Sequence, residues 1–379
     1  MIAVGIVLLN FINLFILCAG NVPRMQLEKS FANSAALVAH VNARQTSWTQ
    51  LEKSFANSAA LVAHVNARQT SWTAELHPQF ANMPPEALNR LMGVRGPFPE
   101  KRQRVPSGNE YNGNFDARKH FPKCAEVIST IQDQGLCGSC WAVSAASVIS
   151  DRICIASDGQ RRANISALDL LSCEPRSFGC DGGSSKRAFE FYEKSGLCTG
   201  SNFESQLGCK PYPWPSVTHP AHGPLHETPK FKSFGLRLSH QKLFKVCTFL
   251  PQQQLHADLR EGQILRHVPI ILNILAYSIK TIFFKGKNAR TLTDGNVEAI
   301  KAEIIRAGPV TAAFLVYEDF PYYAKGIYQH IAGKIRGGHA IANSWNRSWG
   351  EEGFFRIRMG TDECGIETWG ISYADPEEL

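Results

Sequence analysis

Residues 132–148 read QDQGLCGSCWAVSAASV. From Cys140 to Ala156 the apolar residues recur at helical spacing, so the pattern predicts a helix with a cysteine in its first turn. There the unpaired backbone N–H groups and the helix dipole favour a thiolate. A thiolate beside a histidine is a strong nucleophile. Gln134 lies six residues upstream, placed to donate with the Cys140 backbone N–H to a developing oxyanion. The competing reading of CGSC is a metal or redox pair. Zinc needs a second pair at suitable spacing and a thioredoxin-like site needs a preceding strand; neither is evident.

The whole chain fits a secreted globular protein. At 379 residues it is long enough for one large or two ordinary domains. With 44% hydrophobic and 19% charged residues it is neither disordered nor fibrous. The formal charge of +7 is scattered. No Lys/Arg run with interleaved aromatics points to nucleic acid, and the charge reads as solvated surface. Residues 1–20, MIAVGIVLLNFINLFILCAG, are apolar, uncharged and end in small residues. They read as a signal peptide rather than a membrane anchor, which implies the secretory pathway and an extracellular or lysosomal destination. Eleven cysteines then suggest a disulfide framework, ten of them remaining once Cys18 leaves. Asn164 and Asn346 stand in N-x-S glycosylation sequons.

Residues 26–49 recur letter for letter as residues 50–73. Two identical copies are too few and too alike for a solenoid. Phe55, Ala59, Val62 and Val65 sit at helical spacing, so each copy is expected to form one amphipathic helix. GPFPEKRQRVPSGNE (96–110) follows as a basic, Pro-rich linker open to proteolysis. Beyond it, Ser166 with Asp169 has the form of a capping box. Lys186–Ser195 reads as a helix up to Gly196, and Asn296–Ala307 as one stopped by Gly308-Pro309. Residues 310–317 and 353–360 read as strands. Helices first and strands later suggest an α+β arrangement of two lobes.

Gln134, CGSCW (137–141), CDGG (180–183), GGHAI (337–341) and NSWNRSWGEEGFF (343–355) together resemble a papain-like cysteine protease. ISDRICI (149–155), GCKPY (208–212) and CGIE (364–367) narrow the resemblance to the cathepsin B-like group. It implies an α+β, two-lobed papain-like fold, a helical lobe plus a β-barrel-like lobe, preceded by a helical propeptide. It implies a signal peptide at 1–20, an inhibitory propeptide over 21–105 and a peptidase domain over 106–379. Cys140 resembles the nucleophile, His339 its general base, Asn343 the residue that orients the imidazole, and Gln134 the oxyanion donor. Trp345 resembles the ring that shields His339 and Asn343. Gly182 and Gly183 match the glycines that pair with an extended substrate. Cys124 is expected to pair with Cys154, and Cys137 with Cys180. The implied protein is a zymogen acting as a monomer on protein and peptide substrates. Its own propeptide is an intramolecular inhibitor, and no metal, organic cofactor, membrane or nucleic-acid partner is implied.

This chain departs from the family pattern in four places. A strand, a hairpin and a GWG…YW segment are missing between Ile341 and Ala342. If residues 339–343 formed one strand, His339 and Asn343 would share a face roughly 13 Å apart, beyond the about 2.7–3.2 Å of a hydrogen bond. Residues at about 231–285 replace a short segment holding two cysteines. Their Ile, Lys, Asn, Phe and Tyr have A/T-rich codons, as a translated intron would. That leaves Cys173 and Cys209 without their family partners. Cys247 is a possible substitute, Cys198 is unassigned and Cys364 resembles an unpaired position. The loop PYPWPSVTHPAHGPLHE (211–227) keeps His219, the best match to a histidine that grips a substrate's terminal carboxylate. Its closing cysteines are missing, which favours endopeptidase action. Trp369 stands where an acidic residue forms the base of the S2 pocket, which implies an apolar preference there. The alternative is a catalytically inactive homologue that binds peptides or protein partners.

Overall fold

The computed structural model describes residues 57–68, 71–81, 83–96, 113–205, 207–216, 283–341 and 345–377, all within one compact unit spanning Asn57–Leu379. Residues 1–20, the first repeat copy, most of the 96–110 linker and most of the 231–285 interval lie outside the described residues, as do His219, His222, His226, Cys247 and Asn343.

The longer helices are α1 (Ser58–Arg68), α2 (Cys140–Ala156), α3 (Ala167–Cys173), α4 (Ser185–Ser195) and α5 (Val297–Ala307). Local signals set their ends. Asn296 Oδ1 accepts from the Ala299 N–H at the start of α5, and Gly308 closes it with φ 91°, a conformation that favours glycine. Ser166 Oγ accepts from the Asp169 N–H at the start of α3. The capping box is only half made: the Asp169 carboxylate turns to Lys210 Nζ, 2.6 Å away, and to the Cys198 N–H. In α1 the buried residues are Leu61 and Val65, one turn apart, while Ala59 is exposed. The face that packs is thus rotated from the one read in the sequence.

α2 is apolar nearly all round, as a helix buried on every side must be, and runs through the helical lobe's core. Trp141, Ile149, Phe189 and Tyr192 pack there with almost no exposure. Disulfide Cys124–Cys154 ties its C-terminal end to the Pro122–Cys124 turn, and Cys137–Cys180 ties the loop before it to the CDGG loop. They are the pairs implied by the resemblance.

The strands are β1 (Trp72–Ala74), β2 (Leu197–Cys198), β3 (Phe283–Phe284), β4 (Gly286–Leu292), β5 (Thr311–Tyr317), β6 (Tyr323–Tyr328), β7 (Ile335–Ile341), β8 (Arg356–Ile357) and β9 (Ile371–Pro376). They form sheets of order β4-β9-β5-β7, β1-β6-β8 and β2-β3. These sheets are open, so among the described residues the second lobe is not a closed barrel. The expected 353–360 strand is reduced to the two residues of β8. Phe284 is buried and pairs with Leu197, so the anticipated 231–285 interval rejoins the fold before its expected end.

β5 and β7 pair antiparallel from Ala312↔Ile341 to Tyr317↔Ile335, setting His339 opposite Phe314. The described part of β7 runs to Ile341. Trp345 bridges Asp133, and its ring lies 4.7 Å from the His339 ring. A continuous strand would hold residues six apart roughly 20 Å from each other.

Candidate active site

The cleft between the lobes is built around the first turn of α2. Ser139 Oγ lies 2.6 Å from Tyr212 Oη, and that hydroxyl lies 2.8 Å from the Gln134 carbonyl. Tyr212 therefore clamps the 134–139 loop that delivers Cys140. Nothing in the cysteine motif announces this residue; the only trace is its place in GCKPY. Gly138 donates to the Cys180 carbonyl, and the Trp141 indole to the Gly179 carbonyl. The CGSC loop and the CDGG loop are thus tied by one backbone and one side-chain hydrogen bond as well as by a disulfide.

His339 and Ala340 bring β7 to the same point. The Ala340 N–H lies 3.5 Å from Cys140 Sγ. Trp345 covers the His339 ring and is itself held among Phe320 and Trp349. Gly338 is packed so closely that an added Cβ would lie 2.1 Å from Trp369 Cη2. Trp369 lines the groove that continues past Val94 and Arg95. Asn343 and His219 lie outside the described residues.

The cleft is filled by the chain itself. Residues Leu91–Arg95 run through it, extended from Gly93 onward. The Gly183 N–H donates to the Gly93 carbonyl at 2.8 Å, the Arg95 N–H to the Gly183 carbonyl at 2.8 Å, and the Val94 N–H to the Gly338 carbonyl at 3.0 Å. The CDGG loop of one lobe and strand β7 of the other thus grip this segment. Gly182 and Gly183 must lack side chains: a Cβ on either would stand within 2.8 Å of Arg95 and Gly93 or of the Trp141 ring. Gln134 Nε2, expected to face an oxyanion, donates to the Leu91 carbonyl at 3.0 Å and to the Cys137 carbonyl at 2.8 Å. Sequence reading expected a propeptide here but did not identify Leu91, Met92 or Gly93 as the residues over the thiol.

Covering the site changes its electrostatics. Cys140 is fully buried, and desolvation pushes its thiol up to about 11, against the hydrogen bonds from Ala340, Gly93 and Trp141 that favour the thiolate. Burial pushes His339 down to about 3, against a hydrogen bond with the Leu91 backbone. The start of α2 favours a thiolate, but here the sulfur is covered. Removal of water outweighs the backbone donors around the sulfur, favouring the neutral thiol and the neutral imidazole.

A Cβ on Gly93 would sit 2.0 Å from the Gly138 carbonyl oxygen. Overpacking against backbone costs about 1–3 kcal/mol. Gly93→Ala is therefore expected to loosen the covering segment and raise Cys140 alkylation in the intact chain roughly 5- to 100-fold. An unchanged rate, measured by mass mapping of the labelled peptide, refutes this.

The features assembled here are a cysteine opening a buried helix, a histidine on the facing strand and a chain segment laid between the CDGG loop and β7. A family model of papain family cysteine proteases matches residues 111–374. The chain belongs to the papain family of cysteine proteases. Its curated relatives are cathepsin B-like. Cathepsin B-like cysteine proteinase 6 of Caenorhabditis elegans is 40% identical over 280 residues, 67% of this chain and 64% of that protein. The match therefore spans less than two thirds of that relative's own length. The cathepsin B-like cysteine proteinase of Schistosoma japonicum is 38% identical over 304 residues, 73% of this chain and 79% of that protein. Among solved structures, procathepsin B S9 from Trypanosoma congolense aligns with a TM-score of 0.61 at 27% identity, over 84% of this chain and 98% of that one. Procathepsin L2 from the larval midgut of Tenebrio molitor, 18% identical with a TM-score of 0.54, shares the fold.

Proposed function

We propose that this chain is the zymogen of a cysteine endopeptidase exported through the secretory pathway, with residues 21–105 as its inhibitory propeptide. The observation that carries the reading is the seating of Leu91–Arg95 between the CDGG loop and β7, with the Leu91 carbonyl on Gln134 Nε2 and the Gly93 N–H facing the Cys140 thiol. It occupies the place where a peptide substrate would lie.

With the segment gone, water returns to the cleft and the pKa of Cys140 falls while that of His339 rises. A thiolate–imidazolium pair then forms. The Cys140 sulfur attacks the substrate carbonyl carbon, and the resulting oxyanion is met by Gln134 Nε2–H and the Cys140 N–H. His339 gives its proton to the departing amine, leaving a thioester, and then takes a proton from the water that hydrolyses it. Asn343 is assigned to orient the imidazole and Trp345 to shield it. Gly182 and Gly183 pair with substrate backbone, and Trp369 makes the neighbouring pocket apolar. His219 is left the lesser role of contacting a substrate's C-terminus.

The test is peptide hydrolysis before and after limited proteolysis of the linker. Activity is expected only afterwards, with an apolar residue favoured next to the scissile one, and none in Cys140→Ser. The second reading, an inactive peptide-binding homologue, draws on the short connection between Ile341 and Trp345. Peptide binding without turnover in the processed chain would establish it instead.

A further inference from the structure

The repeat has a consequence that lies outside the catalytic cleft. Its second copy supplies a compact docking element. β1 pairs antiparallel with β6 in the register Trp72↔Gly326 and Thr73↔Lys325. The Ser71 carbonyl accepts from the Ile327 N–H at 2.8 Å. The Trp72 indole donates to the Gln329 carbonyl at 3.0 Å and lies 5.0 Å from the Tyr328 ring and 6.0 Å from that of Tyr323. Tyr322 Oη donates to Ser58 Oγ. Trp72 is only 3% exposed. Gly326 admits this contact because it has no side chain: a Cβ would lie 2.4 Å from the Ser71 carbonyl oxygen.

Each of these contacts is made by a residue with an identical counterpart in the first copy: Ser34 for Ser58, Ser47 for Ser71, Trp48 for Trp72 and Thr49 for Thr73. Within an unprocessed chain the β6 edge is already filled by residues 72–74. In a molecule processed as proposed above, the same edge would lack its β1 partner, and Tyr323 and Tyr328 would lose the cover of Trp72. An unpaired strand edge is a template for another strand. The sequence that fits it best is the one that has just left it.

We propose that residues 26–49 of an unprocessed chain dock on the vacated β6 edge of a processed copy. They thereby bring an uncut zymogen to the enzyme that cuts it. The proposal rests on the peptidase reading above. The docked element sits on β6 and carries no counterpart of Leu91–Arg95, the residues that fill the cleft. Docking through the first copy therefore leaves the processed molecule's cleft open to the visiting chain's 96–110 linker. The second copy cannot serve, because it is engaged on its own chain.

The test uses processed enzyme acting on full-length Cys140→Ser chain, which cannot process itself. Compared with that substrate, one also carrying Trp48→Ala is expected to show a KM about tenfold higher at unchanged kcat, the loss usual for truncating a buried tryptophan anchor. Trp48→Phe should restore part of it. Hydrolysis of a short peptide lacking the repeat should be the same throughout. Equal KM for the Trp48→Ala substrate overturns the proposal, as does faster cutting of it. A labelled peptide of residues 33–49 gives a readout independent of catalysis: it should bind the processed chain and lose binding with Trp48→Ala. If the processed chain cleaves no peptide yet binds this one, the peptidase reading fails while the docking surface stands.

Discussion

Alkylation of Cys140 in the intact chain is expected to be slow at pH 7 and to accelerate about tenfold for each pH unit, up to about pH 11. The thiolate is the reacting species. With burial pushing the thiol up to about 11, only on the order of one molecule in ten thousand carries it at neutral pH. The sign follows from deprotonation: reactivity is absent well below that value and complete above it. Once residues up to the linker have been cut away, water reaches the sulfur, and the N-terminus of α2 and a charged His339 both favour the anion. The rate at pH 7 should then rise at least about a hundredfold and become nearly flat through neutrality. Mass mapping of the Cys140 peptide distinguishes this thiol from the others. Equal rates in the intact and processed chains at pH 7 would mean that the covering segment does not control the thiol.

Arg152→Ala is the substitution expected to cost most in stability, about 3–5 kcal/mol. The Arg152 side chain is 1% exposed and lies within α2. Its guanidinium meets Glu303 Oε1 at 2.8 Å, Asp375 Oδ1 at 3.5 Å and the carbonyls of Pro309 and Gly308, over the Tyr373 ring. It therefore joins α2 to α5 and to β9, elements from opposite ends of the chain. Deleting it leaves Glu303 with a single cation and two carbonyls without their donor. Arg306 contacts the same two carboxylates but is 53% exposed, so Arg306→Ala should cost no more than about 1 kcal/mol. Urea unfolding of the two variants decides it. A midpoint for Arg152→Ala no lower than that for Arg306→Ala would show that the buried network contributes little.

Most of what sequence reading found is local. The Gly308 stop and the Ser166 cap each depend on residues within one turn of each other. Such features survive any tertiary context that permits a helix. The readings that changed depend on distant packing. The packing face of α1 is set by where β1 lies, with Asn66 bonded to the Ala74 backbone. The 353–360 strand shrank to Arg356–Ile357, the residues that pair in register with Ile327 and Tyr328 of β6, while Phe354 turns back to bridge Glu351. Tyr212, which steadies the cysteine loop, acts across 73 residues on Ser139 and leaves no periodic signal.

The sequence by itself determined that a cysteine would open a buried helix; that it would work with His339 and Gln134, and that glycines would line the approach, was what the family resemblance implied. Helical periodicity carries the first directly, and matching motifs carry the others. Only the tertiary structure decided the state of the site. Gln134 reaches the Leu91 carbonyl across 43 residues, and that closure removes the water on which the Cys140 charge depends. A helix dipole acts locally and can be read from the chain, whereas desolvation is a property of everything packed around the sulfur, and here it outweighs the backbone donors there.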